Sequence, residues 1–439
     1  MEHIETSESL LSEIQRVKKE AIRKGTLRKE KPLEQITPQE TPYKLPNGWT
    51  WVRLGDYALK VTDYVASGSF ASLKENVLIT NEPNYAIMVK TADFANDFTK
   101  GLTYTDKQGY EFLSNSNLFG GELILSNIGS IGKVFIVPYL HRPMTLASNT
   151  VMVKVTNDEL IKYLYYYYRS PLGQRMLRSI SSGTSMMKFN KTQLKNTLVP
   201  VAPLFEQKHI VSLLEKTEML IDHLQRQIQT LDTLIKARFV EMFREGVYPH
   251  MSLYDVITPG AGLSYGIIVP GDYFKEGCPM IRPSDYQNGK LDLRSVYRVN
   301  PEIEAKYSRT RLQGDEILVQ VIGQPGQIIP ATAECKGMNV TRNLAVVRPN
   351  RVIIDRTYLI EYMRTEKAQQ YMTGSTKQST LKQLPLSLLK SLEIPLPPIE
   401  QQSAFATFVS QVDISKATIQ KALNEAQKIL DSLMQQFFG

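Results

Sequence analysis

Apolar residues recur at spacings of three and four through two long stretches that contain neither glycine nor proline, residues 206–244 and 400–438. In the first, Leu214, Ile221, Ile228 and Ile235 share one heptad position, and Thr217, Leu224 and Leu231 the other. In the second, one row is Phe405, Val412, Ile419, Ala426 and Leu433, and the other is Phe408, Ser415, Ala422 and Ile429. Two apolar rows in every seven residues form a coiled-coil seam. Each stretch is therefore predicted to be a rod of roughly 50 Å, at about 1.5 Å per helical residue. The rods pair most simply with each other, antiparallel, with Ala422 and Ala426 allowing close approach; pairing with helices of another chain satisfies the same pattern. Near the N-terminus, Leu10, Leu11, Ile14 and Val17 form one apolar stripe, which predicts a charged amphipathic helix over residues 7–25.

Between the rods the period changes. Residues 26–44 are rich in Lys, Glu and Pro and read as an extended linker. After the Pro46-Asn-Gly48 turn signal, Trp49-Thr-Trp-Val52 reads as a first strand. Leu123-Ile-Leu125, Val134-Phe-Ile-Val137 and Val151-Met-Val-Lys-Val155 read as further strands, followed by a helix over 158–180. Ile317-Leu-Val-Gln-Val321 and Leu344-Ala-Val-Val347 repeat this order, with a helix near 356–372. Prolines at 200–203 and 395–398 stop the two blocks. The expected domains are thus 1–43 (helix and linker), 44–203, 204–246 (first rod), 247–398 and 399–439 (second rod). The fold class is α+β: two similar mixed α/β domains, separated and joined by two long antiparallel coiled-coil helices.

The two blocks are copies. Gly323 lies 194 residues after Gly129, and the same interval relates Gly326 to Gly132, Asn343 to Asn149, and Glu400-Gln401 to Glu206-Gln207. Met280-Ile-Arg-Pro-Ser-Asp-Tyr286 resembles Met88-Val-Lys-Thr-Ala-Asp-Phe94. Solenoid repeats have periods of about 20–50 residues, so this is a duplicated domain with an internal pseudo-two-fold. Two such domains on one chain suit a target that itself has two halves, of which duplex DNA is the commonest.

Composition narrows the class. Of 439 residues, 42% are hydrophobic and 22% charged, the balance of a soluble protein of two or three domains. No run reaches the roughly 18 apolar residues that would span a bilayer, and the charged N-terminus lacks a signal-peptide core. Cys278 and Cys335 are too few for a disulfide framework, which points to reduced cytoplasm. The net charge of +8 favours a polyanionic partner.

Catalytic patterns are missing. His209 and His223 share a helix face but stand roughly 21 Å apart, too far for one metal. Gly129-Ser-Ile-Gly-Lys133 is too short for a phosphate loop, and Val134 stands where Ser or Thr is required; a β-turn is expected. Gly260-Ala-Gly262 does not complete a dinucleotide fingerprint, because Tyr265 holds the third glycine position. No Gly-x-Ser-x-Gly elbow occurs. The Asn/Asp-Pro-Pro-Tyr/Phe run that holds a flipped base in amino-methyltransferases is also missing.

Features that suit DNA contact occur in matched places. The Gly/Ser/Thr loops before the proline stops carry Ser182, Thr184, Ser185 and Lys188, and Ser375, Thr376, Lys377 and Gln378. Hydroxyls and amides suit phosphates, whereas Gln and Lys can read base edges. The strand–turn segments offer Ser126, Asn127, Ser130 and Lys133 in the first copy and Gln320, Gln324 and Gln327 in the second. Lys90 and Arg282 form a matched basic pair, placed to touch phosphate or to bound a strand. The run Tyr163-Leu-Tyr-Tyr-Tyr-Tyr168 invites base stacking, but on a helix its rings point all round; packing with hydroxyls at the surface is expected.

Three segments carry a resemblance to a known family: Leu45-Pro-Asn-Gly-Trp-Thr-Trp-Val-Arg-Leu-Gly55, Val199-Pro-Val-Ala-Pro-Leu-Phe-Glu-Gln207 and Ile394-Pro-Leu-Pro-Pro-Ile-Glu-Gln401. Repeated at this spacing and followed by heptads, they resemble the specificity subunits of type I restriction–modification enzymes over almost the whole chain. Two departures stand out: one residue fewer precedes Glu400, and Tyr248-Pro-His-Met251 replaces the Trp-rich lead-in of the second domain. The resemblance implies two target-recognition domains, each reading half of a split asymmetric DNA site, and a coiled coil that sets the spacer. It implies partners: double-stranded DNA, two adenine-methyltransferase subunits, and restriction/motor subunits. S-adenosylmethionine, ATP and Mg2+ would belong to those partners, with no cofactor, metal or catalysis on this chain. The competing readings are a stand-alone DNA methyltransferase and a coiled-coil scaffold that binds proteins.

Overall fold

The computed structural model describes residues 6–183, 186–243, 246–287, 289–374 and 383–439. The chain forms two compact units, residues 1–223 with 423–439, and residues 224–422. Each unit holds one copy of the repeat together with a segment of each long helix.

The first unit opens with α1 (Ser7–Arg23), capped by Thr6, whose Oγ1 accepts from Ser9 N. Its Leu10 and Ile14 are buried in the main core, and Lys18 Nζ donates to the carbonyls of Gly55 and Ala58. The segment after α1 is extended, as its composition indicates, but it is fastened to the domain. Glu30 pairs with Lys195 at 2.6 Å and Glu40 with Arg53 at 2.8 Å. Strand β1 (Thr50–Arg53) leads into α2 (Leu54–Tyr57) and β2 (Lys60–Asp63). Then come α3 (Phe70–Asn76), β3 (Ala86–Val89), β4 (Tyr104–Thr105), α4 (Lys107–Phe112) and β5 (Asn117–Leu118). A hairpin of β6 (Leu123–Ser126) and β7 (Val134–Ile136) precedes β8 (Met144–Leu146) and β9 (Thr150–Lys154). Three helices, α5 (Asp158–Arg169), α6 (Pro171–Ser179) and α7 (Lys191–Lys195), lead to β10 (Leu198–Val201) and the long α8 (Leu204–Met242). One sheet has the order β2-β9-β6-β7 and is antiparallel. A second has the order β4-β3-β8-β5, with β3 and β8 parallel. Strands β1 and β10 form a separate antiparallel pair.

The second unit repeats this plan. Strand β11 (His250–Ser252) is followed by β12 (Ser264–Tyr265), β13 (Cys278–Ile281), β14 (Tyr286–Gln287), β15 (Lys290–Leu291) and β16 (Tyr297–Val299). After α9 (Pro301–Glu304) come β17 (Ile317–Gln320), β18 (Ile328–Pro330), β19 (Asn339–Val340) and β20 (Leu344–Val347). Helices α10 (Arg356–Met363), α11 (Glu366–Gly374) and α12 (Leu386–Lys390) precede β21 (Glu393–Pro395) and α13 (Ile399–Phe438). The sheet β12-β20-β17-β18 matches β2-β9-β6-β7 strand for strand, and the three-stranded β16-β13-β19 matches β4-β3-β8 without a counterpart of β5. Tyr248-Pro-His-Met251, which lacks the tryptophans, still leads into a strand, because β11 pairs with β21 as β1 does with β10.

Several expectations need correction. The predicted helix 158–180 is two helices, because Pro171 lacks an amide proton and drives Ser170 into the extended region, at φ −67° and ψ 160°. Ser170 then caps α6 by accepting from Gly173 N. The helix near 356–372 likewise breaks, at Thr365, whose hydroxyl accepts from Ala368 N. The tyrosine run does pack, but three of its hydroxyls point inward: Tyr163 donates to Pro200 O at 2.7 Å, Tyr167 to Leu198 O at 2.5 Å, and Tyr168 pairs with Thr197 Oγ1, whereas Tyr166 reaches the half-buried Glu218. Buried hydroxyls need such partners, and burial pushes the Tyr163 and Tyr167 phenols well up in pKa.

The seam of α8 follows its predicted row: Leu214, Ile221, Leu224 and Ile235 are buried, and Ile228 and Leu231 are half-buried. In α13 the first row holds, with Phe405, Val412 and Ala426 buried and Ile419 and Leu433 half-buried. The second row is displaced by one residue. Val409, Lys416, Leu423 and Leu430 face inward, whereas Ser415, Ala422 and Ile429 are exposed and Phe408 sits at the flank. Spacings of three and four are equally apolar here, and Lys416 disguises the true row. It is tolerated because its ammonium reaches Asp232 at 2.5 Å. In the second unit, Asp232 meets Lys416 while Phe239 meets Phe405, so the two helix segments run antiparallel. In the first unit, Leu214 shares a core with Leu430, Leu433 and Phe438.

The interval of the repeat also shifts. Gln207 Nε2 donates to Ala202 O and Gln402 Nε2 to Pro397 O, both at 2.8 Å and both fully buried. These glutamines lie 195 residues apart, so Gln401-Gln402, and not Glu400-Gln401, is the partner of Glu206-Gln207. At this interval Pro200 falls on Pro395 and Pro203 on Pro398, so no residue is missing before Glu400.

Candidate nucleic-acid interface

The turn between β6 and β7 is where the repeated glycines sit. Gly129 and Gly132 have φ of +75° and +94°, and Gly323 and Gly326 have +92° and +91°. A side chain is strained in that region. At the second glycine it would also collide with a glutamine: a Cβ at Gly132 would lie 2.3 Å from Gln174 Oε1, and one at Gly326 2.8 Å from Gln369 Oε1. These glutamines clamp the turn. Gln174 Nε2 donates to Gly132 O and Tyr168 O at 2.8 and 2.7 Å; Gln369 Nε2 donates to Gly326 O and Met363 O at 2.9 and 2.7 Å. The phosphate-loop lookalike is therefore a braced hairpin turn.

The Gly/Ser/Thr loop folds back onto this hairpin. Ser182 and Lys188 exchange backbone hydrogen bonds, and Phe189 N donates to Asn127 O at 3.1 Å. In the second unit, Leu384 N donates to Val321 O at 2.8 Å in the same way. In the first domain, loop and turn thus form one surface. Thr184, Ser185, Ser375, Thr376, Lys377 and Gln378 lie outside the described residues.

Two adjoining hollows in the first domain collect most of its candidates. One, of about 400 Å³, is lined by Asn127, Ser182 and Lys188 together with Asp63, Phe70, Ser148, Asn149, Asn190 and Gln193. The other, of about 440 Å³, takes in Lys90, Ser126 and Ser130 with Ile79, Thr91 and Thr103. Both share Tyr64, Ile128, Ser148, Asn149 and Thr150. Lys133 is exposed on the hairpin and lines neither.

The side chains divide by what they already hold. Ser126 is buried, and Gln320, at the matched position, is 6% exposed, with Nε2 donating to Ile322 O. Asn127 Nδ2 donates to Phe189 O, which ties the loop to the strand. Lys90 Nζ donates to Thr103 Oγ1 and Gly101 O. Arg282 pairs with Asp285 at 2.8 Å and lies over the Tyr297 ring. Their backbone amides do the same task, Lys90 N donating to Asp93 and Arg282 N to Asp285. The matched basic pair closes a turn at the end of β3 and β13. Ser130, Ser182, Lys188 and Gln324 are exposed, and Gln327 is half-buried.

Ser148, Asn190, Gln193, Phe70 and Ile79 escaped the sequence reading, since none lies in a repeated motif. Asn149 did lie in the repeat, and its φ of +70° marks it as a turn residue facing the hollows. Among the described residues no cluster of His, Cys, Asp and Glu could hold a metal, and His209 and His223 are exposed. No described helix is long and apolar enough to cross a membrane.

Comparison with known proteins agrees with this arrangement. The chain matches the type I restriction modification DNA specificity domain twice, over residues 46–233 and 268–428. It is 24% identical to the EcoBI specificity subunit of Escherichia coli, over 70% of each chain. It is 26% identical to the putative MjaX specificity subunit of Methanocaldococcus jannaschii, over 73% of this chain and 78% of that one. In structure it resembles a chain of a type I R-M system solved for its assembly and conformational transition, with a TM-score of 0.56 at 19% identity, covering 90% of this chain and 99% of that one. The S subunit from M. genitalium matches with a TM-score of 0.50 at 16% identity, over 90% of this chain and 98% of that one. These two likenesses speak for the fold. The chain belongs to the type I restriction–modification specificity family, and it is a non-catalytic DNA-recognition subunit of such a system.

Proposed function

We propose that each recognition domain reads one half of a split, asymmetric DNA site, and that the two long helices set the unspecified spacer between the halves. One observation carries this reading. The hairpin and its glutamine clamp are the same in both domains, whereas the outward-facing polar residues on that scaffold differ: Ser130 and Lys133 stand against Gln324 and the half-buried Gln327. One scaffold bearing two sets of readers fits two different half-sites. The Gly/Ser/Thr segments Ser181 to Lys188 and Thr373 to Gln378 would add phosphate contacts.

The relatives are specificity subunits of restriction enzymes, which supports the following partners. Two adenine-methyltransferase subunits dock on the long helices, and restriction/motor subunits complete the complex in the cytoplasm. S-adenosylmethionine, ATP and Mg2+ serve those partners. The division is physically sensible, because readout needs a rigid support while methyl transfer to an extruded base needs its own pocket. Long-read mapping of 6-methyladenine in the host, with this gene intact and deleted, tests the reading. Deletion is expected to erase one split motif. A methylome unchanged by deletion, together with no sequence-specific methylation in a reconstituted complex, would overturn it.

A further inference from the structure

The first domain carries an element that the second lacks. In the first, residues 64–85 lie between β2 and β3 and include α3; in the second, the shorter stretch 266–277 joins β12 to β13 with no helix among its residues. Helix α3 and its flanks place apolar side chains in solvent. Phe70, its first residue, is 77% exposed, and Ile79, just beyond its end, is 61% exposed. Phe70 lines one hollow and Ile79 the other. They form an apolar lip on a pair of hollows whose other walls carry Ser148, Asn149, Asn190, Gln193 and the exposed Lys188.

An exposed phenylalanine beside hydrogen-bonding groups can pack on an apolar group of whatever those groups face. The edges of base pairs in the major groove present donors and acceptors, and their one apolar group is the thymine C5-methyl. We infer that Phe70 is a specificity-determining residue of the first domain, whose ring packs against a thymine methyl in or beside the first half-site. This inference rests on the recognition function proposed above. The matching stretch of the second domain also exposes apolar side chains, Val269 and Tyr273 among them, but carries no helix.

The test is a cycle of paired replacements. The chain in complex with its methyltransferase partner is titrated with duplexes carrying the motif mapped in the methylome. Each thymine of the motif and of the flanking base pairs is changed in turn to deoxyuridine, which deletes only the methyl group. Wild-type binding is expected to weaken about three- to tenfold at one position, the worth of one buried methyl group or slightly more. Phe70→Ala is expected to bind the unaltered duplex more weakly by a similar factor and to ignore that replacement. Phe70→Leu, which keeps an apolar surface, is expected to keep part of the response. The inference is overturned if wild type ignores every replacement, or if Phe70→Ala responds as wild type does. Weakened methyltransferase docking by Phe70→Ala with an unchanged thymine response would also overturn it and assign the ring to a protein contact. All of these leave the mapped motif standing, whereas loss of the recognition reading itself would appear earlier, as the absence of any motif that depends on this gene.

Discussion

The two domains agree where a side chain shapes the backbone and differ where it faces outward. Gln174 and Gln369 brace the same turn through the same carbonyls, and Tyr163 and Tyr358 donate to Pro200 O and Pro395 O at the same 2.7 Å. Glu122 accepts from the amides of Phe119 and Gly120, and Glu316 from those of Gln313 and Gly314. In contrast, Lys133 faces Gln327 across the repeat, Ser130 faces Gln324, and α3 has no partner. The lesson is that buried polar groups fix what must be repeated, because each unmet hydrogen bond is costly, while exposed positions are free to specialise.

The strongest test of this equivalence lies where the long helices meet the domains. The Phe438 ring packs edge-on against Tyr163 at 5.4 Å in the first unit, and the Phe243 ring against Tyr358 at 4.7 Å in the second. Both phenylalanines are buried. Truncating either to alanine is expected to cost about 3–5 kcal/mol. Hydrogen exchange read by mass spectrometry should show Phe438→Ala deprotecting β1 and β10, and Phe243→Ala deprotecting β11 and β21. If only one of the two variants loosens its own unit, the symmetry between the anchors is broken.

A smaller effect is expected from the glutamine clamps. Gln174→Ala and Gln369→Ala each leave two carbonyls short of a donor, at about 1–3 kcal/mol apiece. Urea denaturation measures that loss, and methylome mapping sharpens it. Gln174→Ala should relax discrimination in one half of the motif and Gln369→Ala in the other. If both variants relax the same half, the assignment of one domain to one half-site fails.

How far the sequence revealed this comparison depends on which residues carried it. The glycines at 129, 132, 323 and 326 were legible because positive φ restricts the residue that can stand there. The clamps were invisible, since Gln174 and Gln369 touch the turn only through the fold and sit at an interval of 195, not 194. The same one-residue change hid the pairing of Gln207 with Gln402. The α13 seam was misread by one residue in its second row because Phe408, Ala422 and Ile429 are as apolar as a seam requires, while Lys416 conceals the true row. In the candidate interface, composition pointed to the loop and hairpin, where Ser126 and Gln320 are buried, and to Lys90 and Arg282, which are engaged within their own turns. Phe70 carried no signal, because one phenylalanine in a sequence does not announce its exposure.

Acid should separate the units most finely. Glu40 is pulled down to about 2 by the Thr37 amide first and then by the Arg53 guanidinium. In the second unit, Glu304 is lowered chiefly by its hydrogen bonds with Arg311, helped by Asn339. A carboxylate whose pKa is depressed on folding contributes stability that is full above its unfolded value and is lost as pH falls through the folded one. For Glu40 the window therefore runs from about 4.5 down to about 2. Both tryptophans, Trp49 and Trp51, lie in the first unit, and Trp51 Nε1 donates to Tyr43 O close to Glu40 in sequence. Tryptophan fluorescence thus watches the first unit alone. Glu40→Gln is expected to flatten the acid limb of a fluorescence-detected stability curve across that window, and Glu304→Gln to leave it unchanged. If Glu304→Gln flattened the fluorescence limb as strongly as Glu40→Gln, the acid response would belong to the whole chain and the two units would not unfold as separate bodies.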